Sequence, residues 1–397
     1  MSDGSSSTAS TTAAELRALG YLVVPAFVEP HAHLDKAFLA ERVPNPSGDL
    51  MGAILAMQAA RSTITVADTI SRAERAALLM VANGTTAIRT HADTTTENGL
   101  TSVEALIEVR ERLRDLVDIQ VVALSGWPFL GLAGAEARAL LGEAIAMGVD
   151  VVGGCPHLES DPAAANDALL SIAAAAGLPV DLHTDETLDP AKLAVADLAE
   201  RVVRTGFANT VTASHCVSLG VQTQARQQEV AESIAAAGIH VVALPQTNLF
   251  LQGRSHAQAT PRGLTAVRVL RQAGVCVAAG ADNMQDPFNP VGRGDPLETA
   301  GLMMLVAHLL ADEALDTITS AGRTLMHIAT SAGQAQDDFV AIDAASVREA
   351  IAFGPPGRIV VRRGQVIDTT GFADVHSDVH SDVHSTTVRR RSERASG

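Results

Sequence analysis

Eight short β-branched runs, separated by helical stretches rich in Ala, Leu, Glu and Arg, dominate this chain. They are Leu22–Val28, Thr86–His91, Ile119–Leu124, Val151–Gly154, Pro179–Thr184, Thr210–His215, His240–Pro245 and Val275–Asp282. Most are continuously apolar, as parallel strands covered on both faces are. Stretches such as Ala135–Met147, Ala163–Ala176 and Gln228–Ala237 carry the helices between them. Eight β/α units in series predict an α/β protein with a (β/α)8, or TIM, barrel. The 397-residue length fits one such barrel with insertions. Aromatics are 3% of the chain while apolar residues are 47%, so the core must rest on Ala, Val, Leu and Ile.

The ends of the chain read differently. Residues 1–15 form a Ser/Thr-rich leader expected to be disordered. The barrel is expected over 16–335. Residues 336–370, with Phe339–Asp343 and a hairpin over Arg358–Asp368 turning at Arg363-Gly364, read as a small β appendage. Residues 371–397 carry "DVHSDVHSDVHS", expected to be a disordered His-containing tail.

Net charge is −16, which disfavours nucleic acid as a partner. No 18-residue apolar run lacks charges or breakers, so no membrane span is expected. The N-terminus has neither a basic n-region nor an apolar h-region, so the chain reads as cytoplasmic. Cys155, Cys216 and Cys276 lie far apart and read as free thiols in apolar runs.

Barrels of this kind place their chemistry at the C-terminal ends of the strands. Reading those ends in order gives His31 and His33; His91 and Asp93; His157 and Glu159; His183, Asp185 and Glu186; His215; and Asp282. A lone histidine at a strand end is as readily structural as ligating. The set is harder to dismiss, since such residues rarely stand at the strand starts. His31 and His33 are two apart, so both imidazoles face one side of a strand. With His183 and Asp282 they offer three imidazoles and a carboxylate, which suit one zinc or ferrous ion with a position left for water. Glu186, three residues past His183, can move a proton from that water to a substrate nitrogen. His215 can stabilise charge on the attacking oxygen or the tetrahedral species. Lys36 pairs with Asp35 or reaches the pocket mouth.

The stretches "VVPAFVEPHAHLDK", "IRTHAD", "DVVGGCPHLE", "VDLHTDET", "TASHC", "LPQTNLFLQGR" and "GADNMQDPFNPVGRGDP" run in order from Leu22 to Pro296. Through them the chain resembles the amidohydrolase superfamily, and most closely the branch of cytosine deaminase and the N-isopropylammelide amidohydrolases. The resemblance implies one divalent metal ion per subunit, zinc or iron, held by His31, His33, His183 and Asp282. It also implies Glu186 as the proton shuttle and His215 at the attacking water. "CPHLE" stands where binuclear relatives place a carboxylated lysine, which favours a single ion.

Three departures touch the expected pocket and the ends. Gly126 takes the place of a glutamine that holds the pyrimidine edge, beside Trp127, the chain's one tryptophan. Asn283 stands where cytosine deaminase has a second Asp. Relatives carry β-structure before the first barrel strand, whereas this chain offers only the leader, so either the appendage is reduced and built from the C-terminal segment or the start site is assigned too late. An exposed edge there would invite pairing with another subunit, and a homo-oligomer is expected.

The sequence therefore points to hydrolysis of the exocyclic C–N bond of an aminated nitrogen heterocycle, releasing ammonia. Asp282 is expected to serve as ligand and to stabilise the tetrahedral species. Trp127, His157, Asn283 and Lys36 are candidate substrate contacts, and no organic cofactor is expected. The first alternative is release of an N-alkylamine from an aminotriazine. The second is a non-catalytic barrel that binds metal or ligand, which would have no use for Glu186 and His215.

Overall fold

The computed structural model describes residues 12–328 and 338–372. The expected leader over residues 1–11 and the His-containing tail from 373 onward lie outside the described residues, as does the junction between barrel and appendage within 329–337.

Strand β1 (Leu22–Pro25) is followed at once by β2 (Phe27–Ala32). Then come β3 (Thr85–Thr94), β4 (Asp118–Ser125), β5 (Val151–Gly154), β6 (Val180–Thr184), β7 (Val211–His215), β8 (His240–Ala243) and β9 (Val277–Ala279). Strands β2 to β9 form one eight-stranded parallel sheet in sequence order. Helices lie between successive strands, which makes this the (β/α)8 barrel expected from the alternation. Local chemistry sets the helix limits. The helix Pro162–Ala176 starts with Asp161 capping the Ala164 amide and Pro162 in its first turn, and stops at Gly177 with φ 68°.

The barrel closes through a residue that the sequence marks for chemistry. Ala32 bridges Asp282 in parallel, the Asp282 amide donates to the His31 carbonyl at 3.0 Å, and the His33 amide donates to the Asp282 carbonyl at 2.9 Å. Gly280 permits this approach, because a Cβ there would lie 2.4 Å from Glu29 Oε1. At the opposite end Leu325 and Met326, at and just past the end of helix Ser320–Leu325, pack with Val28, Ala87, Val242, Leu244 and Ala278.

A second, four-stranded antiparallel sheet runs in the order β1, β10 (Phe339–Ile342), β11 (Ile359–Arg362), β12 (Gln365–Val366). The hairpin turn at Arg363-Gly364 is present, with both φ angles positive. One expectation is corrected. The run Leu22–Val28 is not a single barrel strand. It divides at Ala26, and its first half pairs Leu22–Pro25 against Ile342–Phe339. The appendage therefore has N-terminal β-structure, and β11 is covered by β10 on one side and β12 on the other. The leader is also shorter than residues 1–15: α1 (Ala13–Ala18) is a helix whose cap, Thr12, exchanges hydrogen bonds with Glu15.

Candidate active site

The strand ends bring the expected groups together. His33 Nε2 lies 3.1 Å from His183 Nε2 and 3.3 Å from Asp282 Oδ1, and His31 Nε2 lies 3.6 Å from Asp282 Oδ1. Four ligands about 2.1 Å from one tetrahedral ion sit about 3.4 Å from each other; His31, His33 and Asp282 form a trio at near that spacing, and His183 reaches it through His33. Buried atoms within it, His31 Nε2 and both Asp282 carboxylate oxygens, have no hydrogen-bond partner among the described residues. Unsatisfied polar atoms at this depth are costly unless something binds them. Burial holds the pKa of His31, His33 and His183 well below the usual histidine value, and burial with Glu186 and Asp286 nearby pushes Asp282 well up. Neutral imidazoles are the form that ligates, and a dication supplies the counter-charge that Asp282 lacks. The residues present fit a divalent metal.

Outer contacts orient these groups. His31 Nδ1 is 2.9 Å from Ser214 Oγ, which donates to Asp181 Oδ1 at 2.8 Å. His33 Nδ1 is 3.0 Å from Lys36 Nζ. Lys36 is buried rather than at the pocket mouth. It donates to Asp93 at 2.7 Å and to Asp35 at 3.3 Å, and Arg61 binds the other oxygen of Asp93. His91, the histidine of strand β3, is fully buried with its ring 4.0 Å from that of His31, and neither of its nitrogens has a partner among the described residues. It forms an alternative ligating trio with His31 and His183.

Glu186 is buried, and burial pushes its carboxyl up to about 8. Its Oε1 lies 3.6 Å from His215 Nδ1. His215 donates from Nδ1 to Asn248 Oδ1 at 3.1 Å, which leaves the Nε2 lone pair 4.0 Å from Asp282 Oδ2. Burial pulls the His215 ring down to about 3, so it is neutral. Asp185, His215, Cys216 and Asp282 all hold positive φ. Non-glycine residues there are strained, and such strain gathers at working sites.

His33, His183, Glu186, His215 and Asp282 line a pocket of about 940 Å³, its open mouth included. Helix α2 (Leu50–Ala60) forms one wall with Leu50, Ile54 and Met57; Trp127, Leu158 and Phe288 add further apolar surface. Trp127 is half exposed. Gly126 lines the pocket too, and a Cβ on it would sit 3.1 Å from Thr95 Cα, so a glutamine there would press on the backbone. His157 donates from Nδ1 to the His183 carbonyl at 2.9 Å, and burial pulls its ring down to about 4. Asn283 lines the pocket, but its Oδ1 accepts from Thr247 and its Nδ2 donates to Asp286. The cysteines are free, as expected, and burial pushes the Cys155 thiol up to about 12, which makes it a poor nucleophile.

Sequence reasoning missed Arg61, Ser214, Asn248 and the apolar wall of α2. Ser214 stands next to His215 and could have been flagged. Arg61 follows α2 without any motif of its own.

With this geometry in view, the similarities to known proteins are specific. Residues 58–368 match the amidohydrolase family Amidohydro_3. A pterin deaminase from Rhizobium rhizogenes (strain K84 / ATCC BAA-868) is 36% identical over 87% of this chain and 80% of its own length. An N-isopropylammelide isopropyl amidohydrolase from Pseudomonas sp. (strain ADP) is 25% identical over 89% of this chain and 87% of its own. The crystal structure of 5-methylcytosine deaminase from Klebsiella pneumoniae liganded with 5-fluorocytosine superimposes with a TM-score of 0.81, at 32% identity, covering 88% of this chain and 87% of that one. Among the described residues no helix is long and apolar enough to cross a membrane. The chain belongs to the amidohydrolase family and is a hydrolase acting on C–N bonds.

Proposed function

We propose that the chain is a metal-dependent deaminase that replaces the exocyclic amine of a nitrogen heterocycle by oxygen and releases ammonia. One observation carries the reading: a buried carboxyl, Glu186, stands beside imidazoles and a carboxylate at ligand spacing on the floor of a pocket. His31, His33, His183 and Asp282 would hold one divalent ion, zinc or ferrous iron. When bound, such an ion lowers the pKa of water to about 7 and polarises the substrate.

The chain's own groups supply the rest. The apolar wall and Trp127 sandwich a flat ring and shed water from it. His215 orients the attacking water through its Nε2 lone pair and stays neutral, while the proton of that water goes to Glu186. Glu186 hands a proton to the ring nitrogen beside the reacting carbon, raising that carbon's electrophilicity. It then takes the proton of the attacking water and passes it to the leaving amine. Its raised pKa matches both directions of transfer near neutral pH. A binding barrel without chemistry would gain nothing from burying this carboxyl.

Substrate size is the finer part of the reading. With Gly126 in place of a glutamine, the pocket has room for a second ring. We infer a bicyclic aminopyrimidinone of the pterin class, in accord with the pterin deaminase among the relatives. The apolar face of α2 favours one second reading, the release of an N-alkylamine from a triazine. The discriminating experiment is an amine-release screen of zinc- and iron-loaded protein on pterin, cytosine, 5-methylcytosine and N-isopropylammelide. Ammonia is expected, with the highest kcat/KM on pterin. Isopropylamine from N-isopropylammelide alone would select the second reading. No amine from any substrate at full metal occupancy would return the non-catalytic barrel.

A further inference from the structure

We propose that His157 selects the ring tautomer of the substrate: its Nε2 accepts a hydrogen bond from a ring N–H, so the pocket takes lactam forms of the heterocycle and rejects rings methylated at that nitrogen. The inference rests on the deaminase reading and adds a specificity-determining residue to it.

His157 sits in the short 3-10 turn Pro156–Leu158 after β5 and lines the pocket with Gly126, Trp127 and Glu186. Its Nδ1 is 2.9 Å from the His183 carbonyl oxygen. A carbonyl only accepts, so the proton is on Nδ1, and in the neutral ring Nε2 keeps its lone pair. That Nε2 is buried and has no partner among the described residues. Two polar candidates read from the sequence are committed elsewhere, whereas the Thr95 hydroxyl in the same lining is, like His157 Nε2, without a partner among the described residues. Asn283 is held at Oδ1 by Thr247 and at Nδ2 by Asp286, and Lys36 is held by Asp93, Asp35 and His33. His157 therefore presents an acceptor whose direction is set by the backbone of a neighbouring strand.

The complement of this acceptor is written into amino-oxo heterocycles. In pterin the carbon that bears the amine has a bare ring nitrogen on one side and a ring N–H on the other. Glu186 donates to the first and His157 accepts from the second. A site built around such a hydrogen bond rejects an analogue that lacks it by a large factor, because the buried acceptor is then left unpaired.

The test compares kcat/KM for pterin and 3-methylpterin in metal-loaded wild type, His157→Asn and His157→Gln. If a monocyclic ring proves to be the one turned over, isocytosine, whose amine-bearing carbon has the same two neighbours, and its 3-methyl derivative serve as the pair. Wild type should prefer the unmethylated ring by at least about 10²-fold. His157→Asn keeps an N–H for the His183 carbonyl but has no acceptor at the Nε2 position, and should bring the preference to within about tenfold at unchanged metal content. His157→Gln, which can place an oxygen near Nε2, should restore part of it. Equal loss on both substrates in His157→Asn would leave His157 a mere prop for His183 and overturn the proposal. So would a wild type indifferent to methylation, while leaving the deaminase reading intact. Absence of ammonia from every unmethylated ring would overturn both.

Discussion

Two buried polar clusters occupy the same barrel, one towards each end of the strands, and they are built in opposite ways. Towards the N-terminal ends Arg89 is held by protein groups at each of its three nitrogens. It donates to Gln120 at 3.0 Å, to Asp181 at 3.0 Å, to Thr212 at 3.2 Å and to the Leu325 carbonyl at 3.3 Å. At the C-terminal ends the imidazoles of His31, His91, His183 and His215 and the carboxylate of Asp282 keep atoms that no group among the described residues satisfies. A buried charge that is fully paired inside the protein holds a structure together and offers nothing to a ligand. Polar atoms buried without partners lower stability and are retained where something else binds them. The contrast separates the part of the barrel that is scaffold from the part that is site.

The largest expected effect tests the second cluster. Glu186→Gln keeps the shape of the side chain and removes its titrating proton. Turnover should fall by about 10²–10⁴-fold, the usual size of a lost acid–base group. Metal content by elemental analysis and Tm should stay near wild type. Near-normal kcat would remove the proton shuttle from the account.

Arg89→Met tests the first cluster. It strands Asp181 in the barrel without its cation, and removing one partner of a buried pair costs about 3–5 kcal/mol. The direction with pH follows from the carboxyl. Burial already raises the Asp181 pKa against the pull of Arg89, and without Arg89 it rises further. A folded-state pKa above the unfolded one means stability that is present at low pH and lost as pH rises through the folded value. Urea unfolding should therefore show a larger deficit at pH 8 than at pH 5. If this variant instead lost metal while staying as stable as wild type, the division into scaffold and site would be wrong.

Much of both clusters could be read from residue order, and the exceptions have physical reasons. The alternation of strand and helix gives the barrel because each parallel strand needs a helix to return the chain. His31 and His33 are legible from side-chain alternation alone, and Asp282 from standing where the eighth strand stops. The division of Leu22–Val28 into β1 and β2 was not legible. An apolar run does not reveal which of two sheets each half joins, and that depends on strand β10, more than 300 residues later. Asn283 shows the limit from the other side. Its type suggests a substrate contact, but whether its amide is free depends on Thr247 and Asp286, and only the folded chain shows that both hold it. Arg61 and Lys36 meet at Asp93 from separate stretches of chain, a pairing that no local spacing announces.

The smallest expected effect falls where the two clusters touch. Asp181 takes Arg89 at Oδ2 and Ser214 at Oδ1, and Ser214 Oγ in turn lies 2.9 Å from His31 Nδ1. Because the hydroxyl hydrogen goes to Asp181, the Ser214 oxygen accepts from His31 Nδ1–H. That fixes the proton on Nδ1 and turns the Nε2 lone pair towards Asp282. Ser214→Ala removes this orientation and leaves Arg89 and Asp181 paired. Loss of such an outer partner weakens metal binding by about 10–100-fold. Competition with a chelator should show that shift, with Tm of the metal-free protein close to wild type. Should affinity be unchanged, His31 is held by packing alone and the scaffold does not reach the site through Ser214. Should the metal-free protein be destabilised as much as in Arg89→Met, then Ser214 belongs to the Arg89 cluster, and the boundary between the two lies one residue nearer the imidazoles.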